Sequence, residues 1–298
     1  MTLGVALGSG GARGWCHIGV LRVLDEMGII PDVVAGCSMG ALVGAAWAGG
    51  RLDALEDWAR NLSQMDMVGY MDLRLADGGV LKGAAIGEVL RSLDLPDRIE
   101  NLPKPFIVVA TDMATGREVW LRDGSLDHAV RASASIPGVF APQRDGDRFL
   151  LDGGLTNPIP ISTARALGAR RIIGVNPNAK LNRPLWTPSQ GGGLRDLIGQ
   201  SWTARLPSAL RGWFDGDAKD GDAKEVQAPD MIQVMSTSID TMTEAIGRAR
   251  LAVDPADVML NADASHISVL ELHRADEAIA AGRAAAEEAR EALAALTR

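Results

Sequence analysis

The amino-acid sequence predicts a layered α/β fold with a largely parallel sheet, in a single domain that spans residues 1–298. Short apolar segments alternate with segments of helical periodicity through the first 180 residues, which is the pattern of repeated strand–helix units. At 298 residues and 47% hydrophobic composition, the chain has enough apolar surface to bury one large core.

The N-terminal elements are predicted to be two strand–helix units followed by a further helix. Each predicted strand is a short apolar run; the first predicted helix carries apolar residues at helical spacing, and the second consists mainly of small residues. These elements are the strand Leu3–Leu7, a helix near Gly14–Met27, the strand Val33–Ala35 and the helices Gly40–Ala48 and Leu52–Leu62.

The middle of the chain is predicted to contain an antiparallel hairpin and further strand–helix transitions. The short segment Met113–Gly116 separates two β-rich runs, which favours a hairpin. After a less regular stretch, Ser63–Gly83, the predicted elements are a helix near Ala85–Leu93, the strands Phe106–Thr111 and Arg117–Leu121, a helix Leu126–Ala134, a strand Phe149–Leu151, a helix Ile161–Leu167 and a strand Arg171–Val175.

The alternation stops at about residues 177–230, where Pro, Gly and a run of charged residues predict a flexible or lid-like insertion. Inside it, Leu194–Phe214 places Trp and aliphatic side chains at helical spacing among three arginines. Such a stretch either makes transient contact with a membrane surface or packs on the core or a second subunit, and both interpretations stay open. A helix Met231–Val253, a strand Val258–Leu260 and a helical C-terminal extension at about 270–298 are predicted to follow.

Charge and cysteine content exclude several classes of protein. A net charge of −8 with no basic patch argues against nucleic acid as a partner. The two cysteines do not make a disulfide framework, and the first residues do not resemble a secretory signal. We therefore expect a cytoplasmic protein, while the sequence leaves its oligomeric state open.

Three glycine-containing motifs follow predicted strands. The first has the composition of a loop that directs backbone N–H groups at negative charge. The second places one serine between a strand and a small-residue helix. In that context a G-x-S-x-G motif indicates a nucleophilic serine. The motifs are Gly10-Gly11-Ala12-Arg13-Gly14, Gly36-Cys37-Ser38-Met39-Gly40 and Asp152-Gly153-Gly154.

Ser38 is the candidate nucleophile. A serine hydroxyl is a poor nucleophile at neutral pH, so it needs a base and donors that stabilise the oxyanion. The glycines of its motif permit a sharp turn, and the helix that begins at Met39 directs its positive end at the developing charge. The N–H groups of Gly10, Gly11 or Ala12 are the candidate oxyanion donors, with Met39 as a further candidate.

Asp152 is the preferred candidate for the base. It ends an apolar strand, as Ser38 follows one, and the two glycines after it allow a sharp turn and a close approach. The four histidines are less convincing: His17 lies early in a helix, His128 in another, and His266 and His273 follow no glycine-bounded strand. We therefore predict a Ser38–Asp152 dyad.

The order and spacing of G-G-x-R-G, G-x-S-x-G and D-G-G are similar to the signature of patatin-like phospholipases. The resemblance extends to Ala132-Ser133, Pro137–Phe140 and Asn157–Pro160, and the C-terminal half resembles bacterial proteins related to neuropathy target esterase. It covers Leu3–Val175 strongly and Met231–Gly282 more weakly, and Cys37 occupies a position that is often threonine in such proteins.

The resemblance implies a three-layer α/β/α fold and hydrolysis of phospholipid or lysophospholipid esters through an acyl-serine intermediate. It implies a serine–aspartate dyad that needs neither histidine, metal nor cofactor. On matching motifs, Ser38 is the nucleophile, Asp152 the base, and Gly10, Gly11, Ala12 and Arg13 the oxyanion loop. The supporting motif positions are Gly14, Gly36, Met39, Gly40, Gly153 and Gly154.

Alternatives remain for both the first motif and the whole protein. A dinucleotide site is disfavoured because Arg13 stands where the third glycine of G-x-G-x-x-G belongs. A regulatory or lipid-binding protein that retains the pocket is the main alternative from another class. An acyltransferase of the acyl-carrier-protein type would need a histidine opposite the serine.

Overall fold

A computed structural model describes residues 2–63, 79–81, 84–179 and 231–296. The predicted insertion at 177–230, including Leu194–Phe214, lies almost wholly outside these residues, as does most of Ser63–Gly83. The strands are β1 (Leu3–Leu7), β2 (Val33–Cys37), β3 (Gly79–Leu81), β4 (Phe106–Asp112), β5 (Glu118–Leu121), β6 (Gly138–Phe140), β7 (Gln143–Asp145), β8 (Arg148–Asp152), β9 (Arg171–Asn176) and β10 (Val258–Asn261).

Within the described residues, eight of these strands form one sheet in the order β10-β9-β1-β2-β4-β8-β7, with β5 also paired to β4. The strands from β10 to β4 are mutually parallel, whereas β5, β8 and β7 are antiparallel to their neighbours. Strands β3 and β6 form a separate parallel pair. The predicted layered α/β fold with a mainly parallel sheet is thus confirmed, as is the β4–β5 hairpin.

The helices lie close to their predicted positions because their apolar spacing is strong. Strands β3, β6 and β7 and the short 3-10 turns were not predicted, since each is too short to show a period. The helices are α1 (Cys16–Glu26), α2 (Met39–Ala48), α3 (Leu52–Asn61), α4 (Ala84–Ser92), α5 (Leu126–Ser133), α6 (Ile161–Ala166), α7 (Met231–Val253), α8 (Ala275–Glu288) and α9 (Arg290–Ala295).

The C-terminal helix differs from its prediction in two respects. It begins at Ala275 rather than near residue 270, and it is interrupted at Ala289. The preceding residues form turns, and the carbonyl of Leu272 accepts a hydrogen bond from the Trp15 indole at 3.0 Å. A side chain at Gly282 would collide with the backbone of Cys16, so α8 packs tightly against α1 as part of the core.

Strands β2 and β8 meet end to end along one edge of β4. Strand β5 pairs with β4 from Val108 to Thr111 and therefore occupies the other edge over this range. On the shared edge, Cys37 of β2 is opposite Val109, and Asp152 of β8 is opposite the next residue, Ala110. The antiparallel β8 thus approaches the end of β2 from the opposite direction.

The antiparallel direction of β8 differs from part of the reason for expecting Ser38 and Asp152 to lie close together. Asp152 does end a strand, as predicted, but that strand does not run parallel to β2. The two residues lie at the junction between strand ends rather than side by side at one edge of a parallel sheet.

None of the helices in the described ranges is both long and apolar enough to cross a membrane.

Candidate active site

Ser38 occupies a strained turn between β2 and α2. Its backbone has φ 54° and ψ −122°, a left-handed conformation that non-glycine residues rarely adopt. The glycines on either side make the turn possible: a Cβ at Gly36 would lie 2.6 Å from the Ala41 Cα, and one at Gly40 would collide with the Leu7 carbonyl. The turn therefore holds the serine at the end of the sheet.

Asp152 lies against Ser38. The Ser38 Oγ donates a hydrogen bond to the Asp152 Oδ2 at 2.6 Å, and the Gly154 N–H donates to the Oδ1 at 2.7 Å. Both side chains are buried, with 3% of Ser38 and 6% of Asp152 exposed. The structure thus brings together the two residues that the sequence selected as nucleophile and base.

Burial raises the pKa of the Asp152 carboxyl to about 6, although its hydrogen bonds from Ser38 and Gly154 act in the opposite direction. At neutral pH the group is mainly a carboxylate, yet its pKa is close enough to neutrality for it to accept a proton and return it. This is the chemistry expected of a general base.

The two glycines after Asp152 make its close approach possible. A Cβ at Gly153 would collide with the Val109 carbonyl and lie 2.9 Å from the Cys37 Sγ. A Cβ at Gly154 would lie 2.8 Å from the Ser9 Oγ. Any larger residue at these positions would push the Asp152 turn away from β2.

Hydrogen bonds fix the beginning of the glycine loop on all sides. The Ser9 N–H donates to the Pro158 carbonyl at 2.8 Å, and the Ser9 carbonyl accepts from the Asn178 Nδ2 at 2.7 Å. The preceding carbonyl, that of Gly8, lies 2.8 Å from the His17 Nε2. The loop therefore has little freedom to change orientation.

Two of the four predicted oxyanion donors, the N–H groups of Ala12 and Arg13, already have hydrogen-bond acceptors within the protein. The Ala12 N–H donates to the Val269 carbonyl at 2.9 Å, and the Arg13 N–H donates to the Gly10 carbonyl at 3.2 Å in a 3-10 turn. Among the described residues, no acceptor faces the N–H groups of Gly10 and Gly11. These two groups remain available to a ligand.

The end of α2 supplies another available donor. Within the described part of the chain, the Met39 N–H at the start of α2 has no acceptor. The glycine loop packs directly on this residue, because a Cβ at Gly14 would lie 2.5 Å from the Met39 Cβ. Gly14 therefore keeps the loop and the helix start together.

The Arg13 side chain binds α7 rather than the site itself. Its guanidinium is 3% exposed and donates to both carboxylate oxygens of Asp240, at 2.9 and 3.0 Å. A buried arginine–carboxylate pair of this kind fixes geometry firmly. Arg13 thus joins the glycine loop to a helix more than two hundred residues away in sequence.

Ser133 is a functional residue that sequence reasoning missed. Its Oγ accepts from the Ser38 N–H at 2.7 Å and donates to the Val109 carbonyl at 2.6 Å, at the junction of β2 and β8. These two hydrogen bonds therefore join the strained turn at Ser38 to Val109 of β4. The position of Ser133 in Ala132-Ser133, a pair that the resemblance already included, was the signal that could have identified it.

The histidines lie outside the Ser38 pocket. Burial lowers the pKa of His17 to about 4, so the ring is neutral and its Nε2–H donates to the Gly8 carbonyl. His128 lies near Asp145, and His266 is paired with Glu277. No histidine is present among the described residues that line the pocket.

One pocket contains both Ser38 and Asp152. Its polar groups come from these residues, the glycine loop, Asn178 and three residues of α7, Ser236, Asp240 and Thr243. One face of α7 forms the opposite wall. The rest of the lining is mainly apolar: Ile136, Pro137, Gly138, Val139, Leu155, Met235, Ile239, Val269 and Leu270. An apolar pocket with a few converging polar groups is typical of a ligand site.

Comparisons with known proteins identify the family of this chain. Residues 5–165 match the family model described as patatin-like phospholipase. An NTE family protein of Mycobacterium tuberculosis is 34% identical over 97% of this chain and 91% of its own length. Mouse patatin-like phospholipase domain-containing protein 6 is 30% identical over 79% of this chain, which spans only 16% of that relative.

Among solved structures, VipD from Legionella pneumophila aligns with 99% of this chain and 66% of its own, at 14% identity and a TM-score of 0.48.

Proposed function

The chain belongs to the patatin-like phospholipase family and is a lipid hydrolase, and on that premise we propose that it cleaves phospholipid or lysophospholipid esters through an acyl-serine intermediate on Ser38. The observation that carries this proposal is the 2.6 Å hydrogen bond from the Ser38 Oγ to the Asp152 Oδ2 inside an apolar pocket. A hydroxyl on a strained turn with a buried carboxylate as its partner is suited to nucleophilic attack.

In the first step, the Ser38 Oγ attacks the carbonyl carbon of the ester while Asp152 takes the hydroxyl proton. The carbonyl oxygen becomes an oxyanion, and the N–H groups of Gly10, Gly11 and Met39 are the donors available to it. When the intermediate collapses, the bond to the leaving alcohol breaks and Asp152 returns the proton to the alcohol oxygen. The products are the free alcohol and an acyl-serine.

In the second step, water takes the place of the alcohol. Asp152 removes a proton from the water as its oxygen attacks the acyl carbon, and the same donors stabilise the second oxyanion. Collapse breaks the bond to Ser38, and Asp152 returns the proton to the Ser38 Oγ. The fatty acid leaves and the enzyme is restored.

Two further features of the proposal rest on the sequence. Transient membrane contact through Leu194–Phe214 is supported by the amphipathic spacing of that segment, which lies outside the described residues. A cytoplasmic location is supported by the state of both cysteines, which are buried and free. The acyltransferase alternative has less support, because the described lining of the pocket contains no histidine.

The dyad is tested by labelling and by pH. Wild type should react with a fluorophosphonate probe and hydrolyse p-nitrophenyl esters. Ser38→Ala should do neither, and Asp152→Asn should lose at least about 10³-fold in kcat. Because Asp152 must be ionised and its pKa is about 6, wild-type kcat/KM should fall about tenfold per unit of pH below 6.

Circular dichroism of each variant provides the folding control. A folded wild type that neither labels nor turns over any ester would contradict the proposal, and the lipid-binding alternative would replace it. A His17→Gln variant as inactive as Asp152→Asn, with a shifted pH profile, would contradict the assignment of the base.

A further inference from the structure

The pocket face of α7 is divided lengthwise by residue type. Successive residues of a helix are rotated by about 100°, so residues four apart lie on nearly the same line. Met235 and Ile239 therefore form one edge of the pocket face, and Ser236 and Asp240 form another about 100° away. All four residues line the pocket that contains Ser38, and Thr243, one turn after Ile239, lines it between the two edges.

The apolar edge of α7 lies against the loop that leads into β6. A Cβ at Gly138 would lie 3.3 Å from the Met235 Sδ, so this side chain sits directly on the glycine. Ile136, Pro137 and Val139 line the pocket on the same side. A groove between these residues and the apolar edge offers almost no hydrogen-bonding side chains to a ligand.

The polar edge of α7 lies against the glycine loop, where Asp240 binds Arg13. Asn178 also lines the pocket, and its Nδ2 is held by the Ser9 carbonyl at 2.7 Å. The Asn178 Oδ1 is inaccessible to bulk solvent and has no hydrogen-bond partner among the described residues. A buried acceptor without a partner favours a ligand that brings a donor, such as a hydroxyl group.

Two ion pairs fix the rotation of α7, which keeps each edge on its own side. Asp240 accepts from Arg13, and ten residues further on Arg250 donates to Glu118 at 2.6 Å. A change of helix register by one residue would break both pairs and rotate the two edges by about 100° away from their positions. The division of the pocket is therefore a fixed property of this packing.

We infer that α7 separates the two parts of the ester substrate. The acyl chain lies between Met235, Ile239 and the Ile136–Val139 segment, and the alcohol part lies beside Ser236, Asp240 and Asn178. Met235 and Ile239 thereby determine the acyl-chain length that the enzyme accepts. This inference rests on the proposed hydrolase function and assigns the two subsites of its pocket.

The acyl side is tested with p-nitrophenyl esters from acetate to palmitate. Each methylene buried is worth roughly fourfold in kcat/KM, so changes in groove size should move the preferred length. Met235→Ala and Ile239→Ala should shift the optimum to longer chains, with a larger change in kcat/KM for the long esters than for the acetate ester. Ile239→Trp should reduce kcat/KM for the longest esters by at least about tenfold.

Met242→Ala is the matched control, because Met242 lies on the same helix but is 49% exposed and does not line the pocket. It should leave the chain-length profile unchanged.

The alcohol side is tested with Ser236→Leu. This variant should lower kcat/KM for a lysophospholipid by about tenfold relative to the p-nitrophenyl ester of the same fatty acid. It should not change the preferred acyl length. A shifted acyl optimum in Ser236→Leu would show that the subsites are reversed and would overturn the inference.

The inference can fail while the proposed function stands. If wild type labels and Ser38→Ala does not, but the length profile is the same in wild type and all Met235 and Ile239 variants, then the subsite assignment is wrong. If wild type does not label and hydrolyses no ester of the series, the proposed function itself fails, and the inference fails with it.

Discussion

The two walls of the pocket are built by different means. The wall that carries Ser38, Asp152 and the glycine loop is fixed by backbone hydrogen bonds and by glycines packed against backbone atoms. The wall formed by α7 contributes side chains and is fixed by the ion pairs of Arg13 and Arg250. Only the first wall lies mainly within residues 5–165, which match the family model.

On the proposed function, the first wall carries the reaction chemistry and the second wall selects the substrate. Backbone geometry tolerates few substitutions, so the first wall, hereafter the sheet wall, can hardly vary without loss of the reaction. The side chains of the second wall, hereafter the helix wall, can change while the dyad stays in place. The comparison predicts that substitutions in the sheet wall alter turnover, and that those in the helix wall alter selectivity and the attachment of α7.

The largest expected effect on stability comes from breaking the attachment of the helix wall. Asp240→Asn leaves the Arg13 guanidinium buried without a charged partner, which should lower the free energy of unfolding by about 3 kcal/mol. Urea denaturation at neutral pH measures this loss. Asp94→Asn is the control, since Asp94 is 93% exposed in its pair with Arg51 and should matter by less than about 0.5 kcal/mol.

An equal effect of the two substitutions would show that Arg13 does not depend on Asp240, and that α7 is held by its apolar contacts alone.

In the sheet wall, Asp152→Asn should abolish turnover yet stabilise the fold. Burial raises the Asp152 pKa from 3.8 to about 6, so ionising this carboxyl above pH 6 costs folding free energy. The asparagine removes that cost while its Oδ1 keeps the Gly154 hydrogen bond. Unfolding free energy at pH 8 should rise by up to about 3 kcal/mol, and the gain should shrink as the pH falls toward 4.

If Asp152→Asn were less stable than wild type at pH 8, with the gap unchanged at pH 4, burial of the carboxylate would not be the source of its raised pKa.

The smallest expected effect compares one glycine from each wall. Gly153→Ala places a Cβ against the Val109 carbonyl and should cost about 1–3 kcal/mol of stability, with a loss of kcat because Asp152 is displaced. Gly247 of α7 has only an ordinary contact with Pro158 at 3.4 Å, so Gly247→Ala should stabilise the helix by up to about 1 kcal/mol. Thermal unfolding and kcat of both variants measure the contrast.

Equal losses in the two glycine variants would mean that the sheet wall is no more tightly packed than the helix wall.

The sequence predicted the residues of the sheet wall better than the contacts of the helix wall. The first depend on local sequence patterns, whereas the second depend on residues that are distant in sequence. Ser38 follows from a local strand–turn–helix pattern, and the structure has that pattern. The position of Asp152 beside it depends on the antiparallel β8. The two strands that precede β8 in the chain, β6 and β7, are three residues long and show no recognisable period. The two residues lie together in the structure, but the geometric reason for expecting them together was partly wrong.

The contacts of the helix wall could not be predicted from local sequence patterns. The periodicity of Met231–Val253 predicts a helix, but nothing near Asp240 in sequence indicates that it binds Arg13. Likewise, the engagement of the Ala12 N–H by Val269 depends on chain that is distant in sequence. Such contacts are set by tertiary packing, which a single sequence does not record.

The pairing of β2 and β8 with one edge of β4 sets the distance between Ser38 and Asp152. The dyad spans the boundary between Val109 and Ala110, and one strand residue advances the chain by about 3.3 Å. A single inserted residue at this boundary would separate Ser38 from Asp152 by more than the range of any hydrogen bond. If Ser38 and Asp152 act together as proposed, the length of this short stretch of β4 has to remain constant for the reaction to occur.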